Sequence, residues 1–67
     1  MNLPRLNITQ NGIFYQNIFY KHNCYDFFHV YKENIHFYKS FPNNDRKIFT
    51  INGLDDEEIQ RILNLLT

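Results

Sequence analysis

The chain has 67 residues, seven basic and seven acidic side chains for a formal net charge of zero, one cysteine, and an aromatic content of 18%. A single cysteine excludes an internal disulfide, and the balanced charge argues against a nucleic-acid surface, which normally carries a concentrated basic excess. The length allows one domain, 1–67, near the lower limit for a self-sufficient core, so dense aromatic packing or a partner must supply the stability. The apolar runs are too short to span a bilayer and no secretory signal precedes the first strand. With one thiol, this leads to the expectation of a reducing, cytoplasmic setting. The abundance of Asn, Ile, Lys, Phe and Tyr has the bias of an AT-rich genome.

Met1 to Pro4 is expected to be a lead-in. A first strand over about 5–10 follows, where Leu6 and Ile8 alternate with Arg5, Asn7 and Thr9. Asn11-Gly12 marks a hairpin turn. A second strand over 13–20 has apolar residues of both parities, which a bulge near Gln16-Asn17 would reconcile. Lys21 to Tyr25 reads as a loop or a single helical turn.

Residues 26–32 and 35–41 form an aromatic hairpin, because β-branched and aromatic side chains suit a pleated, half-buried surface. A two-residue turn at Glu33-Asn34 places Lys32 opposite Ile35, Val30 opposite Phe37 and Phe28 opposite Lys39. Phe28, Val30, Ile35, Phe37 and Phe41 then share an apolar face. Phe27, His29, Tyr31, His36, Tyr38 and Ser40 share the other. A three-residue loop would flip one strand and mix the two sets, so the clean sorting favours the two-residue turn.

Pro42 to Asp45 has turn chemistry, and 46–52 is a fifth strand ended by Asn52-Gly53. The final segment predicts a helix over 55–66. Asp55 is a natural N-cap with Glu58 three residues on, Leu54 and Ile59 occupy staple positions, and Asp56 to Glu58 set negative charge against the positive helix end. Ile59, Ile62, Leu63 and Leu66 make one apolar stripe, which Leu65 widens. The expected core joins Phe28, Val30 and Phe37 to Ile59, Ile62 and Leu63. The fold class is α+β: a five-stranded antiparallel meander with one C-terminal helix on one face.

The element order carries a resemblance. Ile8 to Ile13 opens on a hairpin, Tyr20 to Asp26 holds a Tyr- and Asp-containing turn, and Phe49-Thr50-Ile51 meets the acidic-capped helix Asp55 to Leu66. This resembles pleckstrin-homology-like bacterial domains of unknown function, with Tyr25 nearest the position where such domains often carry Trp. The resemblance implies a fold and fixes no function.

Several residues invite chemistry. His29 and His36 share a face and would need Cys24, His22 or Asp26 to complete a metal site. The spacing of seven residues supplies no such geometry, and two histidines stacked on tyrosines is the simpler expectation, with His29 opposite Tyr38 and His36 opposite Tyr31. Cys24 is surrounded by no nucleophile signature and reads as a small packed thiol. Asp55 to Glu58 could hold a cation, yet capping already explains the run. Lys21, Lys32, Lys39, Arg46 and Lys47 lie among aromatics, as in single-strand binders that stack bases. No catalytic, cofactor or metal motif is found.

The Tyr/His face has the least structural explanation, because one helix covers one side of a sheet, leaving Phe27, Tyr31, Tyr38 and either Tyr15 or Phe19 as candidates for joint exposure, and contiguous exposed aromatics mark interaction surfaces. The expected role is a non-enzymatic protein-binding module acting through Phe27, His29, Tyr31, His36 and Tyr38. It would be a homodimer, a subunit of a complex, or an inhibitor of the kind that short chains of phages and mobile elements supply. The alternative is a single-stranded nucleic-acid binder.

Overall fold

The computed structural model describes residues 2–3 and 5–67, with side chains from Arg5 onward. Two antiparallel sheets replace the expected single five-stranded meander. The first has the order β1-β2-β3-β4, with β1 Asn2–Leu3, β2 Leu6–Ile8, β3 Gly12–Tyr15 and β4 Ile18–Lys21. The second has the order β5-β6-β7, with β5 Phe27–Tyr31, β6 Asn34–Ser40 and β7 Asp45–Ile51. A 3-10 turn over His22–Cys24 separates them, and the helix α1, Asp56–Leu66, closes the chain. Of the expected lead-in, Met1 and Pro4 lie outside the described residues, while Asn2 and Leu3 pair with Asn7 and Leu6.

The strand expected over 13–20 is a hairpin. Gln16 and Asn17 have φ of 50° and 67°, the two positive values of a type I′ turn, whose twist matches that of the flanking strands. Tyr15 pairs with Ile18, Phe14 with Phe19 and Ile13 with Tyr20. This turn removes the parity conflict without a bulge. Ile13, Tyr15 and Tyr20 point inward, and Phe14 and Phe19 outward. The Asn11-Gly12 signal located the preceding hairpin, but Gly12 has no positive φ and begins β3. Its lack of a side chain permits close approach of β4. A Cβ there would collide with the Tyr20 carbonyl oxygen and lie 2.7 Å from the Phe19 ring.

In the second sheet the turn sits one residue earlier than expected, at Lys32-Glu33, with Lys32 at φ 55°. Val30 faces Ile35, Phe28 faces Phe37, His29 faces His36 and Phe27 faces Tyr38. Each partner has moved by two residues, an even slip, so the expected sorting of β5 and β6 onto two faces survives. The physical reason lies at the far end of β7. Asn34 Oδ1 accepts from Gly53 N–H at 3.4 Å, and Glu33 O accepts from Leu54 N–H at 2.9 Å. These bonds hold Asn34 in the strand and Glu33 in the turn.

β7 departs from regularity once. Phe37 faces Phe49 while Tyr38 faces Lys47, so Ile48 is an extra, bulged residue. Phe41, expected on the apolar face, lies beyond β6 and is exposed, with the Arg46 guanidinium 5.4 Å from its ring centre.

The inward residues of both sheets and the helix form one core. Leu6, Ile8, Ile13 and Tyr15 meet Ile35, Phe37, Phe49 and Ile51, with Leu54, Ile59 and Ile62. Phe28 and Leu63 are half-buried against it. Val30 is not a core residue: it is 39% exposed, because it lies on an edge strand near the hairpin tip. Leu65 is likewise exposed and does not widen the buried stripe.

The helix begins as its sequence requires. Asp55 Oδ1 accepts from Glu58 N–H at 2.7 Å, and Glu58 Oε1 accepts from Asp55 N–H at 3.0 Å, a complete capping box. Gly53, at φ 70°, turns the chain from β7 toward this cap, and Leu54 and Ile59 are both buried beside it.

Two stability outcomes are expected. Phe37 has no exposed surface, and Phe37→Ala should cost roughly 3–5 kcal/mol, a large part of what small domains possess; loss of a cooperative urea transition is the readout. Asp55→Ala should lower stability by about 0.5–2 kcal/mol through the missing cap, measured as a shift of the denaturation midpoint.

Candidate functional site

The outer face of the second sheet brings together every residue singled out on it from the sequence. Phe27 and Tyr38, paired across β5 and β6, stack with ring centres 5.1 Å apart and planes inclined by 10°. Next along the sheet, His36 lies 6.4 Å from Tyr38 and 6.4 Å from Tyr31. The result is a row, Phe27–Tyr38–His36–Tyr31, with His29 directly opposite His36. Tyr31 is 57% exposed and Phe27 38%, His29 is exposed, and His36 and Tyr38 are half-buried. The expected pairings of His29 with Tyr38 and of His36 with Tyr31 are replaced, a consequence of the earlier turn.

The third strand anchors this row. His36 Nδ1 and Thr50 Oγ1 are 2.8 Å apart across β6 and β7, which fixes the imidazole plane. Lys47 stands opposite Tyr38, and the Lys32 ammonium lies 5.4 Å from the Tyr31 ring centre. Rigid aromatic rings with polar tips and cations at the margin make a surface that can bury area while losing little side-chain entropy.

Sequence reasoning named Phe19 as a candidate exposed aromatic but missed its pairing with Phe14. Phe14 and Phe19 face each other on the outer side of the first sheet, 43% and 45% exposed. Reading Gln16-Asn17 as a turn would have found them, since that choice alone sorts both parities. Tyr15, weighed as a possible exposed aromatic, is buried, and its hydroxyl accepts from Asn52 N–H at 3.1 Å.

The other candidate residues have structural partners. Thr9 O can only accept, so His22 Nε2, 2.7 Å away, donates to it, and Nδ1 shares a hydrogen bond with the Tyr25 hydroxyl at 2.9 Å. His22 thus ties the first hairpin to the 3-10 turn. These two side chains line an open groove of about 490 Å³ bounded by Ile8, Gln10, Leu65 and Leu66. Burial pushes the Cys24 thiol up from its ordinary value, the opposite of what activates a nucleophilic thiolate. Burial also raises the Tyr25 hydroxyl. Among the described residues, no three His, Cys, Asp or Glu side chains gather as metal ligands.

Asp26 closes the open end of the hairpin. Its Oδ2 accepts from Ser40 N–H at 2.7 Å and its Oδ1 lies 3.5 Å from Lys39 Nζ. The Ser40 N–H, with the Lys39 charge assisting, holds the carboxyl below its ordinary value.

Comparison of the chain with protein-family models, curated proteins and solved structures finds no match in any of the three.

A carboxyl whose pKa is depressed by folding contributes stability that is fully present above its unfolded value and lost as pH falls through the folded one. Asp26→Asn keeps an oxygen for Ser40 but cannot titrate. Urea midpoints should therefore decline less steeply for this variant than for the wild type as pH falls below the ordinary carboxylate range.

Proposed function

We propose that the protein is a non-enzymatic protein-binding module whose outer second-sheet face, Phe27, His29, Tyr31, His36 and Tyr38, receives the partner. The observation that carries this reading is the row of rings itself. Four neighbouring aromatic side chains, ordered by stacking and by the His36–Thr50 hydrogen bond, lie on the side of the sheet opposite the core. Tyrosine at the centre of such a patch is a frequent energetic anchor, being large, stiff and amphipathic. In this reading the chain acts as a subunit of a complex or as an inhibitor of another protein, in a cytoplasmic setting suggested by its single thiol. No described helix is long and apolar enough to cross a membrane. The likeness to pleckstrin-homology-like domains remains a proposal resting on element order.

Single-stranded nucleic acid is the rival ligand, favoured by Lys47 and Lys32 beside Tyr38 and Tyr31 and opposed by a net charge of zero. Tyr38 is the diagnostic position, because it lies on the central strand with its ring on the outer face. Capture of partners from a lysate of the source cells, with wild type and Tyr38→Asp side by side, tests the reading. The variant should keep its far-UV circular dichroism and weaken partner binding by at least about 30-fold, the equivalent of roughly 2 kcal/mol. Undiminished binding by Tyr38→Asp removes this face from the function. Salt-sensitive binding of short oligonucleotides in its place favours the rival.

A further inference from the structure

The sheets end in strands of unequal character, and one of them lacks protection by charge, proline or a bulge. β1 has two residues and β4 four, the latter ending in Lys21. β7 begins Asp45-Arg46-Lys47 and carries the bulge at Ile48. Short length, charge and bulging are the means by which proteins keep exposed strand edges from pairing with other chains. β5, Phe27-Phe28-His29-Val30-Tyr31, has five residues with no Lys, Arg, Asp, Glu or Pro and a continuous register against β6. Among the described residues, no strand pairs with its outer edge.

The backbone of that edge has a definite pattern. In a two-residue hairpin, the residues flanking the turn form a hydrogen-bonded pair, here Tyr31 and Asn34. Bonded and non-bonded pairs alternate, so His29 and Phe27 also direct their N–H and C=O groups toward β6. Phe28 and Val30 therefore direct theirs outward. Two adjacent outward residues are what a two-fold pairing of identical antiparallel strands requires. With the axis at His29, Phe28 of one copy meets Val30 of the other, and the reverse, giving four backbone hydrogen bonds around the axis.

The side chains agree with this register. Phe27 comes opposite Tyr31 of the second copy on the outer face, Phe28 opposite Val30 on the inner face, and His29 opposite its own counterpart. Aromatic–aromatic and aromatic–β-branched pairs across strands are favourable, and neither Asp, Glu, Lys nor Arg of one β5 opposes a like charge of the other. We propose that the protein forms a symmetric dimer by antiparallel pairing of β5 with β5 of a second copy about a two-fold axis at His29, joining the two three-stranded sheets into one of six strands. This inference stands on the strand edge and goes beyond the face reading. In the dimer, the rows of rings from both copies run together across the axis.

Sedimentation equilibrium of the 67-residue chain, with Val30→Pro as the probing variant, tests the proposal. Proline removes an N–H that the β6 ladder does not use, and edge strands tolerate it on that side. The wild type should sediment as a dimer and Val30→Pro as a monomer with unchanged far-UV circular dichroism. A register test covers the case in which Val30→Pro fails to fold. In a Cys24→Ala background, His29→Cys should give a disulfide-linked dimer under mild oxidation, because opposed residues of a non-hydrogen-bonded pair lie about 4.5 Å apart at Cα, within disulfide range. Val30→Cys, displaced from the axis, should not cross-link. A wild-type monomer at every concentration overturns the proposal, as does a dimer that neither Val30→Pro dissociates nor His29→Cys cross-links. A dimer broken by Tyr38→Asp but kept by Val30→Pro also overturns it and assigns self-association to the ring-bearing face.

Discussion

Three stacked rings join the two sheets. Tyr20, from β4, lies 3.7 Å from Phe49 of β7 with planes inclined by 8°, and Phe49 lies 4.4 Å from Phe37 of β6 at 3°. Tyr25, just after the 3-10 turn, meets Phe37 edge-on at 4.9 Å. Stacked and edge-on aromatic pairs contribute beyond the area they bury, each by about 0.5–1.5 kcal/mol. In a chain this short, without an internal disulfide, such a stack takes the place of a covalent staple. The bulge at Ile48 belongs to the same arrangement: it lets Phe49 remain opposite Phe37 while Lys47 moves beside Tyr38 on the outer face.

A polar corner completes the junction. The Arg5 guanidinium donates to Asn52 O at 2.8 Å and Gly53 O at 3.2 Å, and the Tyr15 hydroxyl accepts from Asn52 N–H. Groups separated by more than thirty residues thus satisfy the backbone where β7 ends and the helix cap begins. Without them, the turn through Gly53 would leave its carbonyls to solvent at the edge of the core. The same corner supplies the Glu33 and Asn34 hydrogen bonds that place the β5–β6 turn. The geometry of the outer ring row therefore depends on contacts made where the end of β7 meets the β5–β6 turn, beside Tyr31.

This dependence links fold to surface. The row Phe27–Tyr38–His36–Tyr31 exists because the register is set at Lys32-Glu33, which puts Phe27 against Tyr38 and His29 against His36. The free edge of β5 has a separate origin: across the His22–Cys24 turn the chain passes from one sheet to the other, and the first sheet packs its inward residues into the shared core rather than pairing with β5. An unprotected edge and an ordered aromatic face meet on one strand, Phe27–Tyr31.

By itself, the sequence determined the helix and its capping box, because cap, staple and stripe are local and fall within about ten residues. It also determined which side chains of β5 and β6 share a face, since an even slip of register leaves parity unchanged. It identified Phe27, His29, Tyr31, His36 and Tyr38 as companions for that reason. It did not separate two sheets from one: Gln16-Asn17 lacks the glycine that announces a type I′ turn, and a stack of Tyr20 on Phe49 joins residues far apart in the chain. Only the tertiary structure decided the partner of each residue across β5 and β6, because that choice was made by Leu54 and Gly53 hydrogen-bonding to Glu33 and Asn34, a long-range interaction with no local signal.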